Sequence, residues 1–128
     1  MLRAGFLLSI DGAHAVHPNY TNKSDITNDV ILGKGITVKT SASQRYLSDS
    51  EATAVVMQLC KKTDIPYQVQ VNRSGMPGGQ TLGPIVVSYL PMQGADIGIP
   101  MLAMHSAREL ADMRDYQALV MFLKIFSA

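Results

Sequence analysis

Between Ser48 and Asn72 the hydrophobic pattern changes period once, and this change constrains the fold more than any other feature of the chain. SDSEATAVVMQLCKKTDI places Ala52, Val55, Val56, Leu59 and Cys60 at helical spacing, which predicts one core-facing stripe. Ser48 or Ser50 can cap this helix; acidic residues sit in its first turn and lysines in its last. PYQVQVN then alternates strictly, with Tyr67, Val69 and Val71 on one face and Gln68 and Gln70 on the other. A helix that hands over to a half-buried strand across a short connection is a building unit of α/β folds.

The rest of the chain continues the alternation. AGFLLSI, Ala4 to Ile10, is a short apolar run that reads as a central strand buried on both faces, ending at the Asp11-Gly12 turn signal. AHAVHPNY has room for one or two helical turns, and Pro18 pushes His17 toward an extended loop. TNKSDITND is polar and reads as a surface excursion. GKGITVKTS predicts a strand with Ile36 and Val38 on one face and Thr37 and Lys39 on the other. IVVSYL fits a helix or a strand equally, and ADIGIP reads as a strand closed by Pro100. In the last segment, Ser106 and Glu109 match a capping box, which starts a long helix just after His105 with Leu110, Met113, Leu119, Val120 and Leu123 on its apolar face. The expected fold is α/β: a three-layer sandwich with a mixed sheet between helices, in a single domain spanning residues 1–128.

Composition narrows the partners. Hydrophobic residues make up 47% of the chain and charged residues 16%, enough for a packed core. A net charge of +1 without a basic stripe argues against nucleic acid and acidic membranes as partners. No apolar run approaches the roughly 18 to 20 residues of a membrane span. The run GFLLSI is too short for a secretory signal, and Asp11 interrupts it. Cys60 stands alone within a helical pattern, as a small buried hydrophobe would, and a reducing, cytoplasmic setting fits.

The polar chemistry concentrates in SIDGAHAVHPNY, where Asp11, His14 and His17 follow one another at intervals of three. On a helix they would share a face as metal ligands do; on a strand the two histidines would point apart; in a loop they would be solvated. GMPGG matches neither the Rossmann nor the P-loop spacing, and reads as a flexible turn or a close backbone approach to a ligand. In an α/β sandwich, Asp11, GMPGG and His105 would gather where loops leave the strand ends.

SIDGAHAVHPNY, GKGITVKTSASQRY, GMPGGQTLGP and DIGIPMLAMHSARE occur in this order, and with them the chain closely resembles the C-terminal part of the M18 family of zinc aminopeptidases, the aspartyl aminopeptidase family. The resemblance covers nearly the whole chain and implies a cytoplasmic hydrolase that removes an N-terminal residue, acidic or neutral, from a peptide. It implies two zinc ions bridged by a carboxylate and a water. Asp11 then matches a carboxylate ligand and His105 a histidine ligand. His17 matches a histidine that reaches the substrate carbonyl, and His14 takes a supporting role beside the metal. Lys39 matches a basic residue at the pocket for the first side chain, the alternative being an exposed strand lysine. Tyr46 matches a phenol donor near the reacting carbonyl, and Gly78 and Gly79 let the backbone approach the peptide. The family forms large homo-oligomers.

The same resemblance implies that the site is incomplete here. Another histidine, a bridging aspartate, a further acidic ligand and a glutamate base belong upstream of the matched region. Asp25, Asp29, Glu51, Asp96 and Glu109 do not sit in those motifs. The expectation is a partial zinc-peptidase domain, truncated at its N-terminus, with about half a metal site and no activity alone. The alternative is an inactive α/β module that binds a partner or a full-length relative through an exposed edge.

Overall fold

The computed structural model describes residues 5–76 and 78–128. Ala4, at the start of the first apolar run, and Pro77 in GMPGG lie outside them. The spine of the sheet is β4 (Gln93–Leu102), which pairs in parallel with β1 (Phe6–His14) and antiparallel with β2 (Ile36–Thr40). On its far side β2 pairs in parallel with β3 (Tyr67–Val71), giving the order β1-β4-β2-β3. A two-residue strand, β5 (Leu110–Ala111), joins β4 at Met101 and Leu102.

Small and apolar residues explain why β4 is central. Gly94, Ala95, Ile97 and Gly98 are all buried, and a Cβ at Gly98 would strike the carbonyl oxygen of Asp11. Ile36, Val38, Ala95 and Ile97 face helices α1 (Ser50–Lys62) and α3 (Met113–Phe126), which bury Ala52, Val56, Cys60, Ala118, Leu119 and Phe122 in the same cluster. Helix α2 (Leu82–Tyr89) lies against the other face: the position of a Cβ on Gly83 is 3.1 Å from both carboxylate oxygens of Asp96. The fold is thus α/β with a mixed sheet between helices, as the alternation predicts, and IVVSYL resolves as helix.

Several local expectations are corrected. β1 is an edge strand, half-buried rather than buried on both faces, and it runs through Asp11-Gly12 to His14 because β4 supplies a partner for every residue of it. Asp49 caps α1, accepting from the Ala52 amide at 2.7 Å, in place of Ser48 or Ser50. Val55 leaves the buried stripe and is 43% exposed. Pro100 lies inside β4, between the stretches that pair with β2 and β5, where its missing N–H costs no ladder bond.

The capping box at Ser106 does not start a helix. Ala103 and His105 adopt φ of 57° and 68°, left-handed values that a helix cannot hold. The chain instead turns, forms β5, and enters α3 at Asp112, whose side chain accepts from the Arg114 amide at 2.8 Å. Leu110 and Met113 are therefore exposed, while Leu119 is buried as expected.

Candidate functional site

Strand alternation fixes the polar face. The register sets Asp11 beside Gly98, Gly98 beside Thr37, and Asp96 beside Lys39, with Gln70 next to Lys39 across β3. Side chains of register partners point the same way, so Asp11, Thr37, Lys39, Gln70 and Asp96 share one face. Gly98 has no side chain, and across this gap Lys39 Nζ reaches within 3.9 Å of Asp11 Oδ2. Lys39 is 3% exposed, so the reading of an exposed strand lysine does not hold. Burial pulls its ammonium below the ordinary lysine range, while Asp11 and Asp96 pull it back up.

Asp11 remains open to solvent, and its Oδ1 also accepts from the Gly12 amide at 2.7 Å. His14, the last residue of β1, lies beside Met101 of β4. Partial burial lowers the pKa of its ring, the positive charges of His105 and Lys39 lower it further, and Asp11 opposes them. Asp11, Lys39 and His105 therefore all lie within electrostatic reach of His14. His105 sits in the left-handed turn, with its amide donating to Glu109 Oε1 at 2.6 Å, so Glu109 holds this turn instead of capping a helix. A non-glycine residue in the left-handed region costs energy and recurs where a side chain must be aimed.

Beside this group lies a cavity of about 390 Å³ lined by His14, His17, Tyr46, Gly78, Gly79 and Met104, among others. His17 stacks obliquely on Tyr20, with ring centroids 5.1 Å apart. The Asn19 amide donates to His17 Nδ1 at 3.1 Å, which leaves the proton of the neutral ring on Nε2. Tyr46 is buried, and its hydroxyl donates to Asn72 Oδ1 at 3.4 Å. Arg45 Nη1 donates to the Gly78 carbonyl at 2.9 Å, which ties the glycine loop to the Tyr46 loop. Asp11, Lys39 and His105 do not line the cavity. They adjoin it through His14.

The triad of Asp11, His14 and His17 as a common metal-binding face is not formed. Asp11 and His14 are three apart on one strand and leave it from opposite faces, and His17 lies beyond it. Zinc takes carboxylate oxygen and imidazole nitrogen, so Asp11 and His105 offer one suitable donor each. Among the described residues no three His, Cys, Asp or Glu side chains gather as a metal-holding set. The donors fit part of a four-coordinate zinc site and do not fill it.

Sequence reasoning passed over Asp96, Gln70 and Asn72. Asp96 is fully buried, its Oδ2 accepting from the Leu47 amide at 2.5 Å and from Thr81 Oγ1 at 2.7 Å. The visible signal was a lone charge inside the apolar run ADIGIP.

The family model described as Aminopeptidase I zinc metalloprotease (M18) matches residues 1–127. A probable M18 family aminopeptidase 2 from Clostridium novyi (strain NT) is 50% identical over 115 residues, covering 90% of this chain and 27% of that protein. A chain in the cryo-EM structure of the Ape4 and Nbr1 complex matches with a TM-score of 0.91 and 37% identity, covering 94% of this chain and 23% of that one. The S. cerevisiae mApe1 dodecamer matches with a TM-score of 0.86 and 25% identity, covering 98% of this chain and 27% of that one. The chain thus spans about a quarter of the length of the curated relatives it matches.

Proposed function

This chain belongs to the M18 family of zinc metallopeptidases, and we propose that it carries the C-terminal part of the catalytic domain of an aminopeptidase that releases the first residue of a peptide. One observation carries the reading: Asp11 stands 3.9 Å from the buried Lys39 on the polar face of the sheet, and the motif residues His14, His17, Tyr46, Gly78 and Gly79 line a single cavity. Asp11 and His105 would each hold zinc, with the missing ligands and the general base supplied by chain outside these residues. Zinc, when bound, polarises the scissile carbonyl and makes hydroxide available near neutral pH.

This chain's own residues would then bind and orient. His17 presents Nε2–H as a donor toward the scissile carbonyl, and Tyr46 offers a phenol from the cavity wall. Gly78 and Gly79 leave the peptide backbone room to approach. With Asp11 committed as a ligand, Lys39 would be left without its solvent-side carboxylate, and a substrate Asp or Glu side chain could pair with it instead. His14 lines the cavity beside His17 and would take a supporting role there. Two zinc ions, cytoplasmic action and a homo-oligomeric whole protein complete the proposal; the similarity to the mApe1 dodecamer supports the last point.

The test grafts this chain in place of the matching segment of the Clostridium novyi relative. The expected result is zinc-dependent release of Asp, Glu or Leu from chromogenic amides by the graft, and none from the isolated chain. Asp11→Ala or His105→Ala should cut kcat/KM by about a hundredfold or more. A folded, zinc-loaded graft with no turnover, or turnover indifferent to both substitutions, overturns the reading and favours an inactive binding module.

A further inference from the structure

The geometry points to Asp96 as a positioning residue that sets Lys39 and the Tyr46 loop for the substrate, an inference that rests on the aminopeptidase reading above. Asp96 is the one acidic residue inside β4, and it is 0% exposed. Its Oδ2 gathers two separate segments: the Leu47 amide, next to Tyr46, and Thr81 Oγ1, at the residue before α2 and just past the Gly78–Gly79 loop. Ser48 adds a further tie, its Oγ accepting from the Asp96 amide at 2.8 Å. Gly83 clears the space the carboxylate occupies. A carboxylate buried this deeply is costly unless charge or donors compensate it.

The other oxygen, Oδ1, is buried and has no hydrogen-bond partner among the described residues. Asp96 and Lys39 are register partners on one face, and Lys39 feels Asp96 as well as Asp11. Lys39 Nζ also lies 5.7 Å from the centre of the Tyr46 ring. One side of Asp96 therefore anchors the loop that carries Tyr46, and its charge acts on the register neighbour Lys39 from beyond ion-pair distance, since among the described residues Lys39 pairs directly only with Asp11. If Asp11 turns to a cation, Asp96 is the carboxylate that remains next to Lys39 on the same face. A structural carboxylate needs only the first of these features.

The experiment separates the two roles. In the active graft, Asp96→Asn keeps one acceptor oxygen for Leu47 and Thr81 but removes the negative charge beside Lys39. It should lower kcat/KM by about tenfold while bound zinc stays unchanged. Repeated in a Lys39→Met background, Asp96→Asn should cost less than about threefold, because the group it acts through is gone. An undiminished loss in that background, or no loss in the Lys39 protein, overturns the proposal. Hydrogen exchange on the chain itself provides a readout independent of turnover. Asp96→Ala, or Thr81→Val where the alanine variant does not fold, should speed exchange at Leu47 by about tenfold and leave Phe122 unchanged. Unaltered Leu47 exchange overturns the proposal even in an active graft. An inactive graft with altered Leu47 exchange instead counts against the aminopeptidase reading alone.

Discussion

The two faces of the sheet use the same strands and end in opposite states. Under α1 and α3, Ile36, Val38, Ala95 and Ile97 meet Phe122, Val56 and Cys60, all at 0% exposure. The buried carboxylate on the α3 side, Asp115, has both oxygens occupied, accepting from the Gly33 and Gly35 amides at 2.7 Å each. On the other face Thr37, Lys39, Gln70 and Asp96 are just as buried. Yet Thr37 Oγ1, Gln70 Oε1 and Asp96 Oδ1 lack partners among the described residues. Buried polar atoms are nearly always satisfied in finished cores. Among the described residues three of the four unpartnered buried side-chain atoms lie on the polar face, and the fourth, Thr53 Oγ1, is on α1, so the two faces differ most in how fully their buried polar groups are met.

The largest effect tests the completeness of the apolar face. Phe122 is fully buried and stacks on Phe126, with ring centroids 5.9 Å apart. Phe122→Ala should cost about 3–5 kcal/mol in urea unfolding, through lost burial and the cavity left behind. A loss under about 1 kcal/mol would mean that this face is loosely packed, and the contrast with the polar face would fail.

Cys60 sharpens the same point at smaller amplitude. Burial alone pushes its thiol up to about 11, with no charged neighbour involved. The sign follows from proton counting: between the ordinary thiol pKa of 9.0 and about 11, the folded protein holds a proton that the unfolded chain has released. Stability should therefore fall as pH rises through that window, by about 3 kcal/mol in all. Cys60→Ala should show less of this slope, read as the difference between two pH–stability curves, so that other groups titrating there cancel. Identical slopes would mean that the thiol is not sealed in the core.

Periodicity carried most of this architecture. The stripe of α1 and the alternation of β2 and β3 follow from side-chain spacing, which local sequence records directly. Failures cluster where pairing decides. β1 passes through Asp11-Gly12 because β4 lies beside it, and no local pattern in SIDGAH announces a ten-residue partner 87 positions on. The Ser106–Glu109 box was a true hydrogen-bonding signal attached to the wrong object: Glu109 does capture a backbone amide, that of His105, but in a turn. Of the residues the motifs single out, His14, His17, Tyr46, Gly78 and Gly79 line one cavity, while Asp11 and His105 lie outside its lining. Asp96 was missed because its role comes from Leu47 and Thr81, contacts that exist only after folding.

Lys39 gives the smallest stability effect and the sharpest test of the contrast. Its ammonium pays for burial, and Asp11 and Asp96 return part of that cost. Asp11 acts more strongly than Asp96, yet solvent screens much of its effect, because its side chain is 60% exposed and the 3.9 Å separation is long for an ion pair. Methionine fills nearly the same volume without the buried charge. Asp96 keeps its two hydrogen bonds to Leu47 and Thr81 in the variant. Lys39→Met should therefore change stability by less than about 1 kcal/mol, while the graft loses about tenfold or more in kcat/KM on Asp- and Glu-linked amides. A stability loss above about 3 kcal/mol would identify Lys39 as the indispensable counter-charge of Asp96. The polar face would then be a second core with its charges paired internally, and the difference between the faces would be one of composition, not of purpose.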